Sequence, residues 1–315
     1  MSRACRETFA ATLLECGRAD RDIVVLTSDG RGSASLTGFA DALPEQFVET
    51  GIAEQNAVGI AAGLASCGKN VFACGPASFY SARSLEQVKN DVAYTGTNVK
   101  IACVSGGVAY GALGSTHHSL HDIAVFRAIP GIGIIIPSDA RQTEAITRYL
   151  AVTEGAVYMR FGRGGVPEVY ADDTADEAVF RYGKGNLLRD GGDVSIAACG
   201  QMVYYAVQAA EILSADGISA RVLDLPTVKP LDEDLICRAA AETGAIVTVE
   251  EHSIYGGLGG AIAEVCGRNC PVPLTVLGIP DEPAYTGSQL EIFEHYGLNT
   301  AGIADAARAL LDRKE

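Results

Sequence analysis

Two short segments of the chain carry side chains that could do chemistry. The first, ETGIAEQN (49–56), leads into a helical run of small residues. A carboxylate at the start of a helix is stabilised by the helix dipole and by the free backbone N–H groups of the first turn. The sequence around Glu54 is therefore compatible with either a structural or a catalytic role for its carboxylate.

The second segment, GALGSTHHSLHD (111–122), holds three of the five histidines: His117, His118 and His121. Together with Asp122 they could ligate a metal, but adjacent histidines rarely bind one ion and the sequence shows no second ligand cluster. We therefore predict no metal site on this chain. A glycine-rich loop that carries several imidazoles at the end of a strand more often contacts a substrate.

Short β-branched runs alternate with helical patterns in the first half of the chain. We predict strands at 23–29, 71–75, 99–106, 133–139 and 157–162, and helices at 3–17, 54–66, 81–94 and 139–151. This alternation indicates a parallel sheet covered on both faces, with ligands beyond the carboxyl ends of its strands. Ser28, Asp29 and Arg160 fall at such strand ends.

A second α/β series follows an acidic stretch that contains a proline. We predict strands at 194–200, 220–230, 245–251 and 274–280, and helices at 201–214, 233–241 and 257–267. The fold class is therefore α/β, with two consecutive domains, 1–167 and 186–315, joined by a linker at 168–185.

The composition limits the class of protein. Of 315 residues, 48% are hydrophobic and 20% are charged, which is typical of a globular chain. A net charge of −15 argues against nucleic-acid binding, which needs a basic surface. Nine cysteines without a CxxC pair indicate reduced thiols, and the N-terminus lacks the apolar region of a signal peptide. No apolar stretch is long enough to span a bilayer, so we expect a soluble cytoplasmic protein.

Together the two segments resemble the transketolase family, thiamine-diphosphate enzymes that include deoxyxylulose-phosphate synthase. The central domain of that family pairs a GIAEQN segment, here 51–56, with a Gly-x-x-Gly-x-Thr-His-His loop, here 111–118. Further segments agree in order: ASFYSARSLEQV (77–88), GIGIIIPSDA (131–140), YMRFGRGG (158–165) and VEEHSIYGGLGG (249–260). The resemblance covers nearly the whole chain. It implies a parallel-sheet pyrimidine-binding domain followed by a transketolase C-terminal-like domain.

The resemblance implies catalytic roles for two residues. The glutamate that matches Glu54 hydrogen-bonds the aminopyrimidine of thiamine diphosphate and favours the imino tautomer, which removes the thiazolium C2 proton. His117 matches the histidine that lies over the reacting carbon and handles the protons of substrate hydroxyls. Phe79 matches an aromatic residue of the pyrimidine pocket, with a plain core position as the alternative.

Further positions match cofactor or substrate contacts of the family. Arg160 matches an arginine that grips the substrate phosphate, with Arg163 assisting, because a guanidinium fork suits a phosphate. Surface ion pairing is the alternative for both. Ser28, Asp29 and Ser33 lie on the first strand-end loop, where the family makes further cofactor or phosphate contacts.

The magnesium motif of the family, Gly-Asp-Gly followed by Asn, has one near match, Asp29 with Asn56. We reject it because Asn56 belongs to the Glu54 segment, and one loop cannot serve both ends of the cofactor. We expect the oxygen ligands of Mg²⁺ on a separate N-terminal transketolase subunit that carries the Gly-Asp-Gly…Asn site. Active sites in the family form between two halves, so the resemblance implies an α2β2 heterotetramer.

One departure from the family concerns the substrate. Sugar transketolases usually have an acidic residue, which reads a ketose hydroxyl, where this chain has Leu113. A buried hydroxyl left without its partner costs about 1–3 kcal/mol. Either His118 or His121 takes over this contact, or the substrate is an unusual ketose that is branched, deoxy or otherwise modified.

The predicted function is transfer of a two-carbon ketol unit from a ketose to an aldose. A decarboxylating relative, either deoxyxylulose-phosphate synthase or the β subunit of a 2-oxoacid dehydrogenase, is the first alternative. A non-catalytic regulatory subunit is the second. We expect the C-terminal unit mainly to support dimer contacts, with His252 structural.

Overall fold

The first sheet of the computed structural model, which describes residues 3–314, has seven strands. They are β2 (Ile23–Thr27), β3 (Phe47–Glu49), β4 (Asn70–Pro76), β5 (Val99–Val104), β6 (Ile132–Ile135), β7 (Ala156–Phe161) and β12 (Thr227–Lys229). Their order is β12-β6-β7-β5-β4-β2-β3, and β12 alone runs antiparallel to its neighbour. The short strands β1 (Arg3–Ala4) and β8 (Gly165–Val166) pair separately.

The second sheet has five strands. They are β9 (Asn186–Arg189), β10 (Val194–Ala198), β11 (Ala220–Asp224), β13 (Ile246–Ser253) and β14 (Leu274–Ile279). Their order is β14-β13-β10-β11-β9, and β9 is the antiparallel edge strand. Two mostly parallel sheets in sequence confirm the predicted fold class, two consecutive α/β domains.

Helices connect the strands of both sheets. They are α1 (Cys5–Ala19), α2 (Thr37–Ala42), α3 (Glu54–Ser66), α4 (Ala77–Ala82), α5 (Leu85–Gln87), α6 (Asp122–Ala128), α7 (Ala140–Val152), α8 (Asp176–Val179), α9 (Met202–Ala215), α10 (Glu233–Thr243), α11 (Leu258–Asn269), α12 (Gln289–Tyr296) and α13 (Thr300–Lys314). A π-helical segment, Val88–Tyr94, follows α5. Within residues 3–314, no helix is long and apolar enough to cross a bilayer.

Helix α3 begins and ends where the sequence pattern predicts. Its buried positions recur at Glu54, Ala57, Val58, Ala61 and Ala62, the spacing of one helical face. These small side chains bring α3 close to the sheet, and β4 is its main contact. Glu54 is therefore the first residue of a firmly packed helix.

The predicted strand 220–230 is wrong as a single element. Strand β11 ends at Asp224, and the chain then crosses to the first domain, where Thr227 pairs with Ile135 of β6. Pro226 lies at the crossing, and its carbonyl accepts a hydrogen bond from the Ile136 N–H at 2.7 Å. A proline cannot donate to a ladder, so its position between two short strands fits a change of sheet. The two domains consequently share one continuous apolar cluster.

The segment predicted as a linker at 168–185 is anchored near its start to residues of both domains. The Asp139 carboxylate accepts hydrogen bonds from the backbone N–H groups of Val169 and Tyr170, both at 2.8 Å. Asp224 accepts from the Tyr170 hydroxyl at 2.5 Å and from Gln142 Nε2 at 2.6 Å. The short helix α8 also lies within this segment. The division at 168–185 stays a prediction.

Asp224 gives a pH-dependent contribution to stability. Burial raises its pKa to about 7 from an ordinary 3.8. Between these values the folded state holds a proton that the unfolded state has released, so the free energy of unfolding falls as pH rises from about 4 to 7. Asp224→Asn removes this dependence of the free energy of unfolding on pH. We expect the difference in Tm, variant minus wild type, to increase between pH 5 and pH 8.

Thermal unfolding followed by circular dichroism at the two pH values checks this expectation. Asp234→Asn, a charge change at an exposed aspartate of α10, is the matched control and should show no such increase. A constant Tm difference for Asp224→Asn would show that this carboxyl titrates at its ordinary pKa.

Candidate active site

A cavity of about 400 Å³ opens beyond the carboxyl ends of β2 and β4 in the first domain. This is the edge at which parallel sheets bind ligands. The cavity brings together six residues that the sequence predicts as site residues, together with five others. It is lined by Ser28, Asp29, Gly30, Ser33, Ile52, Glu54, Pro76, Phe79, Arg83, Tyr110 and His117.

Glu54 faces this cavity from the first turn of α3, with its side chain only 5% exposed. Arg83 Nη1 donates a hydrogen bond to Glu54 Oε1 at 2.9 Å. The same guanidinium lies over the Phe79 ring, 4.0 Å from its centroid, and the Arg83 side chain is 49% exposed. Arg83 therefore covers both the carboxylate and the aromatic face on one side of the cavity.

His117 is held between two aromatic rings, one of which is Phe79. Its ring contacts Phe79 edge-on at 5.3 Å between centroids and Tyr110 at 5.4 Å. The Thr116 hydroxyl pairs with His117 Nδ1 at 2.9 Å. Because Nδ1 is engaged, Nε2 is the imidazole nitrogen placed to exchange a proton with a bound molecule.

The loop after β2 is fixed by Glu49. The Glu49 carboxylate accepts hydrogen bonds from Thr27 Oγ1 at 2.6 Å, Asp29 N at 2.7 Å and Gly51 N at 3.0 Å. Burial opposes the charge, but these hydrogen bonds hold the pKa of Glu49 below its usual value. Asp29 has a φ of +55°, an uncommon conformation for a residue with a side chain. Glu49 thus connects the Ser28–Asp29 loop to the segment that leads into Glu54.

Two guanidinium groups contact residues that line the cavity. Arg163 Nη1 donates to the Tyr110 hydroxyl at 2.6 Å, and that hydroxyl bonds Ser33 Oγ at 3.3 Å. Arg6 Nη1 donates to the Ser33 carbonyl at 3.3 Å. Arg163, Ser33 and Tyr110 therefore form one polar group beside His117.

Arg160 does not reach the cavity. Its guanidinium is buried, Nη1 donates to Asp122 at 2.9 and 3.1 Å, and Nη2 donates to the Glu251 carbonyl at 2.8 Å. Although burial opposes both charges, the ion pair holds the pKa of Asp122 below its usual value. Because its donors are committed to buried partners, Arg160 connects the two domains and is not placed to grip a substrate phosphate.

The other two histidines of the loop also lie outside the cavity lining. His118 is buried and its Nε2 pairs with the Gly111 carbonyl at 3.2 Å; burial lowers its pKa. His121 is exposed, and its Nε2 pairs with Ser81 Oγ at 3.2 Å. Neither histidine is positioned to make the contact of the acidic residue that sugar transketolases usually have where this chain has Leu113. Across residues 3–314 no cluster of three or more His, Cys, Asp or Glu side chains suits a metal ion.

His252 of the second domain is fully buried, and Nδ1 pairs with the Ser253 carbonyl at 2.8 Å. Its Nε2 lies 3.8 Å from Asp122 Oδ1, and burial lowers its pKa. These contacts fit a structural histidine next to the Arg160–Asp122 pair.

Sequence reasoning missed five lining residues: Gly30, Ile52, Pro76, Arg83 and Tyr110. Arg83 had a signal, because it follows Phe79 by four positions on a helical pattern, the spacing that places two side chains on one face. Ile52 and Tyr110 had no comparable signal, since their places depend on how two separate loops meet.

The cavity at the end of this parallel sheet brings together a buried glutamate, an aromatic ring and a histidine. Two family models match the chain: "Transketolase, pyrimidine binding domain" over residues 1–168 and "Transketolase, C-terminal domain" over residues 183–303. The chain belongs to the transketolase family, as the sequence segments predict.

Similar proteins agree on the subunit type. The chain is 57% identical over 304 residues to a subunit of the apulose-4-phosphate transketolase of Phocaeicola vulgatus, covering 96% of each chain. It is 41% identical to a subunit of the 6-deoxy-6-sulfo-D-fructose transketolase of Clostridium sp. MSTE9, covering 98% of this chain and 95% of the relative. A solved structure described as a split gene transketolase, inactive β4 tetramer, matches with a TM-score of 0.89, 40% identity and complete coverage of both chains. These matches confirm a subunit of a split transketolase, a transferase.

Proposed function

We propose that this chain is the pyrimidine-binding subunit of a transketolase that moves a two-carbon ketol unit from a modified ketose phosphate to an aldose acceptor. The observation that carries the proposal is the meeting of Glu54, Phe79 and His117 at one cavity. A carboxylate, an aromatic face and an imidazole that meet at one cavity match the chemistry of cofactor activation and substrate proton transfer.

The residues present fit the aminopyrimidine of thiamine diphosphate. Glu54 offers a buried carboxylate to a ring nitrogen, and Phe79 offers a flat apolar face. When bound, the cofactor supplies a thiazolium carbon that takes up the ketol unit. Arg83 occupies the space over Phe79 and beside Glu54, so it must turn outward. The Arg83 side chain is half exposed, so it can turn into solvent.

His117 is the residue placed to move substrate protons. Its ring orientation is set by Phe79, Tyr110 and Thr116, so Nε2 is presented without a reorganisation step. A base that is already oriented can take the proton of the ketose C3 hydroxyl as the C2–C3 bond breaks, which releases that carbon as a carbonyl group. It can later give a proton to the oxygen of the acceptor aldehyde as the new carbon–carbon bond forms.

The substrate phosphate is proposed to bind Arg163, with Arg6 nearby, because Arg160 is committed elsewhere. Replacing Arg163 by methionine removes a charge-assisted hydrogen bond worth about 1.5–3 kcal/mol. We expect KM for a phosphorylated donor to rise roughly 10–100-fold, with kcat changed little. Steady-state kinetics on the two-subunit enzyme measures this.

Arg268→Met, at an exposed arginine of the second domain, is the control for loss of one positive charge and should leave KM unchanged. The same KM for Arg163→Met and wild type would remove Arg163 from the phosphate contact.

The second subunit is proposed to carry the Gly-Asp-Gly…Asn site that holds Mg²⁺ and the diphosphate. Support comes from the two relatives that are named as subunits and from the split gene structure, whose tetramer of β chains alone is described as inactive. We propose an α2β2 assembly in the cytoplasm.

The proposed donor is a modified ketose, with apulose 4-phosphate first, since the relative with 57% identity is named for that substrate. Leu113 supports this proposal, because its side chain is 53% exposed on the loop that carries His117 and it offers no hydrogen-bond partner to a ketose hydroxyl. A donor that lacks the usual hydroxyl arrangement avoids the cost of leaving that group unpaired.

Co-expression with the partner subunit and comparison of donors by kcat/KM tests the proposal. Apulose 4-phosphate should exceed xylulose 5-phosphate by at least roughly 10-fold, the effect of one unpaired hydroxyl. A preference for xylulose 5-phosphate would refute the modified-ketose donor. Release of CO₂ from pyruvate, with no ketol transfer, would instead establish the decarboxylating alternative.

A further inference from the structure

Both carboxylate oxygens of Glu251 in the second domain accept hydrogen bonds, and one of the donors belongs to the first domain. Its side chain is buried near the end of β13. Oε1 accepts hydrogen bonds from the Val108 backbone N–H and from Gln289 Nε2, both at 2.8 Å, and Oε2 accepts from Gln201 Nε2 at 2.8 Å. Val108 belongs to the first domain, at the base of the loop that carries His117.

That loop is closed at its base. Gly107 and Ser119 exchange two backbone hydrogen bonds, at 3.2 and 2.7 Å, which makes 107–119 a closed hairpin-like loop. Within it the His118 ring bonds back to the Gly111 carbonyl. A displacement at the base is therefore passed on to His117 and is not absorbed by a flexible segment.

The second domain packs against this loop without spare space. A Cβ on Gly107, which has a φ of +59°, would lie 2.3 Å from the Glu251 side chain. A Cβ on Gly111 would lie 2.3 Å from the Gly287 carbonyl oxygen. The Ser253 N–H also donates to the Leu120 carbonyl at 3.1 Å. Both ends of the loop are thus held by the second domain.

We infer that the C-terminal domain sets the position of His117 in the active site, with Glu251 as the positioning residue. The inference rests on the proposed role of His117. It gives this domain a part in catalysis beyond the dimer contacts that the resemblance implies. Without the carboxylate, the Val108 N–H loses its acceptor in a buried place, and the base of the loop must shift to find another.

The neighbouring residue Glu250 provides a matched control. Glu250 is buried on the same strand, and its carboxylate accepts hydrogen bonds from the N–H groups of Leu258 and Gly259, at 2.7 and 2.8 Å. These contacts stay within the second domain, at the first turn of α11. A variant at Glu250 therefore disturbs a buried carboxylate of the same kind without touching the His117 loop.

The kinetic test compares Glu251→Leu with Glu250→Gln in the two-subunit enzyme. Leucine keeps similar bulk and removes every acceptor, so we expect kcat to fall roughly 10–100-fold, as misplaced catalytic groups do, with the cofactor Kd within about threefold of wild type. Glu250→Gln should lower Tm by a similar amount while kcat stays within about twofold. Glu251→Gln should recover most of kcat, because its amide oxygen can accept from Val108 while the Gln201 amide turns over.

An NMR measurement on the chain alone separates this inference from the proposed function. The imidazole signals of the five histidines are recorded with labelled histidine, and His117→Asn identifies the His117 signal. We expect Glu251→Leu to shift or broaden that signal and Glu250→Gln to leave it in place. If Glu251→Leu does not fold, Gln289→Leu removes one contact to Glu251 and should shift the same signal by less.

Unchanged His117 signals and unchanged kcat in Glu251→Leu would overturn the inference. Equal losses of kcat in the Glu251 and Glu250 variants would also overturn it, since the effect would then be one of general stability. A shifted His117 signal in a complex without ketol-transfer activity would leave the positioning established and refute the proposed function instead.

Discussion

Replacing Glu54 by alanine should reduce turnover by roughly 10²–10⁴-fold or more, since general acid–base groups contribute this much. The carboxylate is buried beside the space for the aminopyrimidine, and Arg83 is its described hydrogen-bond donor. Among the described residues that line the cavity, the one other carboxylate is Asp29, on the loop after β2. We therefore expect no replacement residue, and steady-state kcat on the two-subunit enzyme is the measurement.

The same variant should assemble normally. Arg83 is half exposed, so the loss of Glu54 leaves its guanidinium in water and not in an apolar core. Native mass spectrometry should show the wild-type subunit ratio. Gln55→Ala, at the exposed next position of α3, is the control and should keep near wild-type kcat. Near wild-type turnover for Glu54→Ala would eliminate its role in cofactor activation.

Replacing Arg160 by methionine should destabilise the chain strongly. Asp122 would remain buried without its cation, and breaking a buried pair from one side costs about 3–5 kcal/mol. We expect Tm to fall by roughly 5–15 °C. Differential scanning calorimetry of the chain measures this directly. The double variant Arg160→Met/Asp122→Leu should recover much of the loss, because both charges are then absent.

Arg163→Met separates stability from substrate binding. It removes a partly buried guanidinium that belongs to no buried ion pair, so Tm should stay within about 2 °C of wild type while KM rises. If Arg160→Met leaves Tm unchanged and raises KM for the phosphorylated donor, then Arg160 binds the substrate phosphate, as the sequence first indicated. Arg160→Met is thus expected to lower Tm, whereas Arg163→Met is expected to raise KM with little change in Tm.

Local patterns in the sequence were enough to predict the elements that carry the site. The helix predicted over 54–66 is confirmed. It could be predicted because small apolar residues recur on one of its faces and a carboxylate stands at its start. The alternation of strands and helices predicts two parallel α/β units, and both sheets are present. The strand-end rule also predicts that Ser28 and Asp29 lie at the ligand edge, where the cavity is found.

Long-range packing decided what the sequence could not. The motif YMRFGRGG contains two arginines three residues apart, and nothing local indicates which is buried. Arg160 lies in the strand β7, whose side chains are enclosed, whereas Arg163 lies just past the strand end. The crossing of β12 into the first sheet and the reach of Glu251 to Val108 depend on contacts between residues far apart along the chain.

The sequence by itself determined the family, the two α/β units and the candidate site residues, because these follow from local periodicity and from motifs of adjacent residues. Only the tertiary structure decided that Arg83 covers Glu54, that Arg160 joins the domains, and that the second domain holds the His117 loop. Side-chain partnership inside a core is set by which buried donors and acceptors meet once the sheets have packed, and one-dimensional spacing does not specify it.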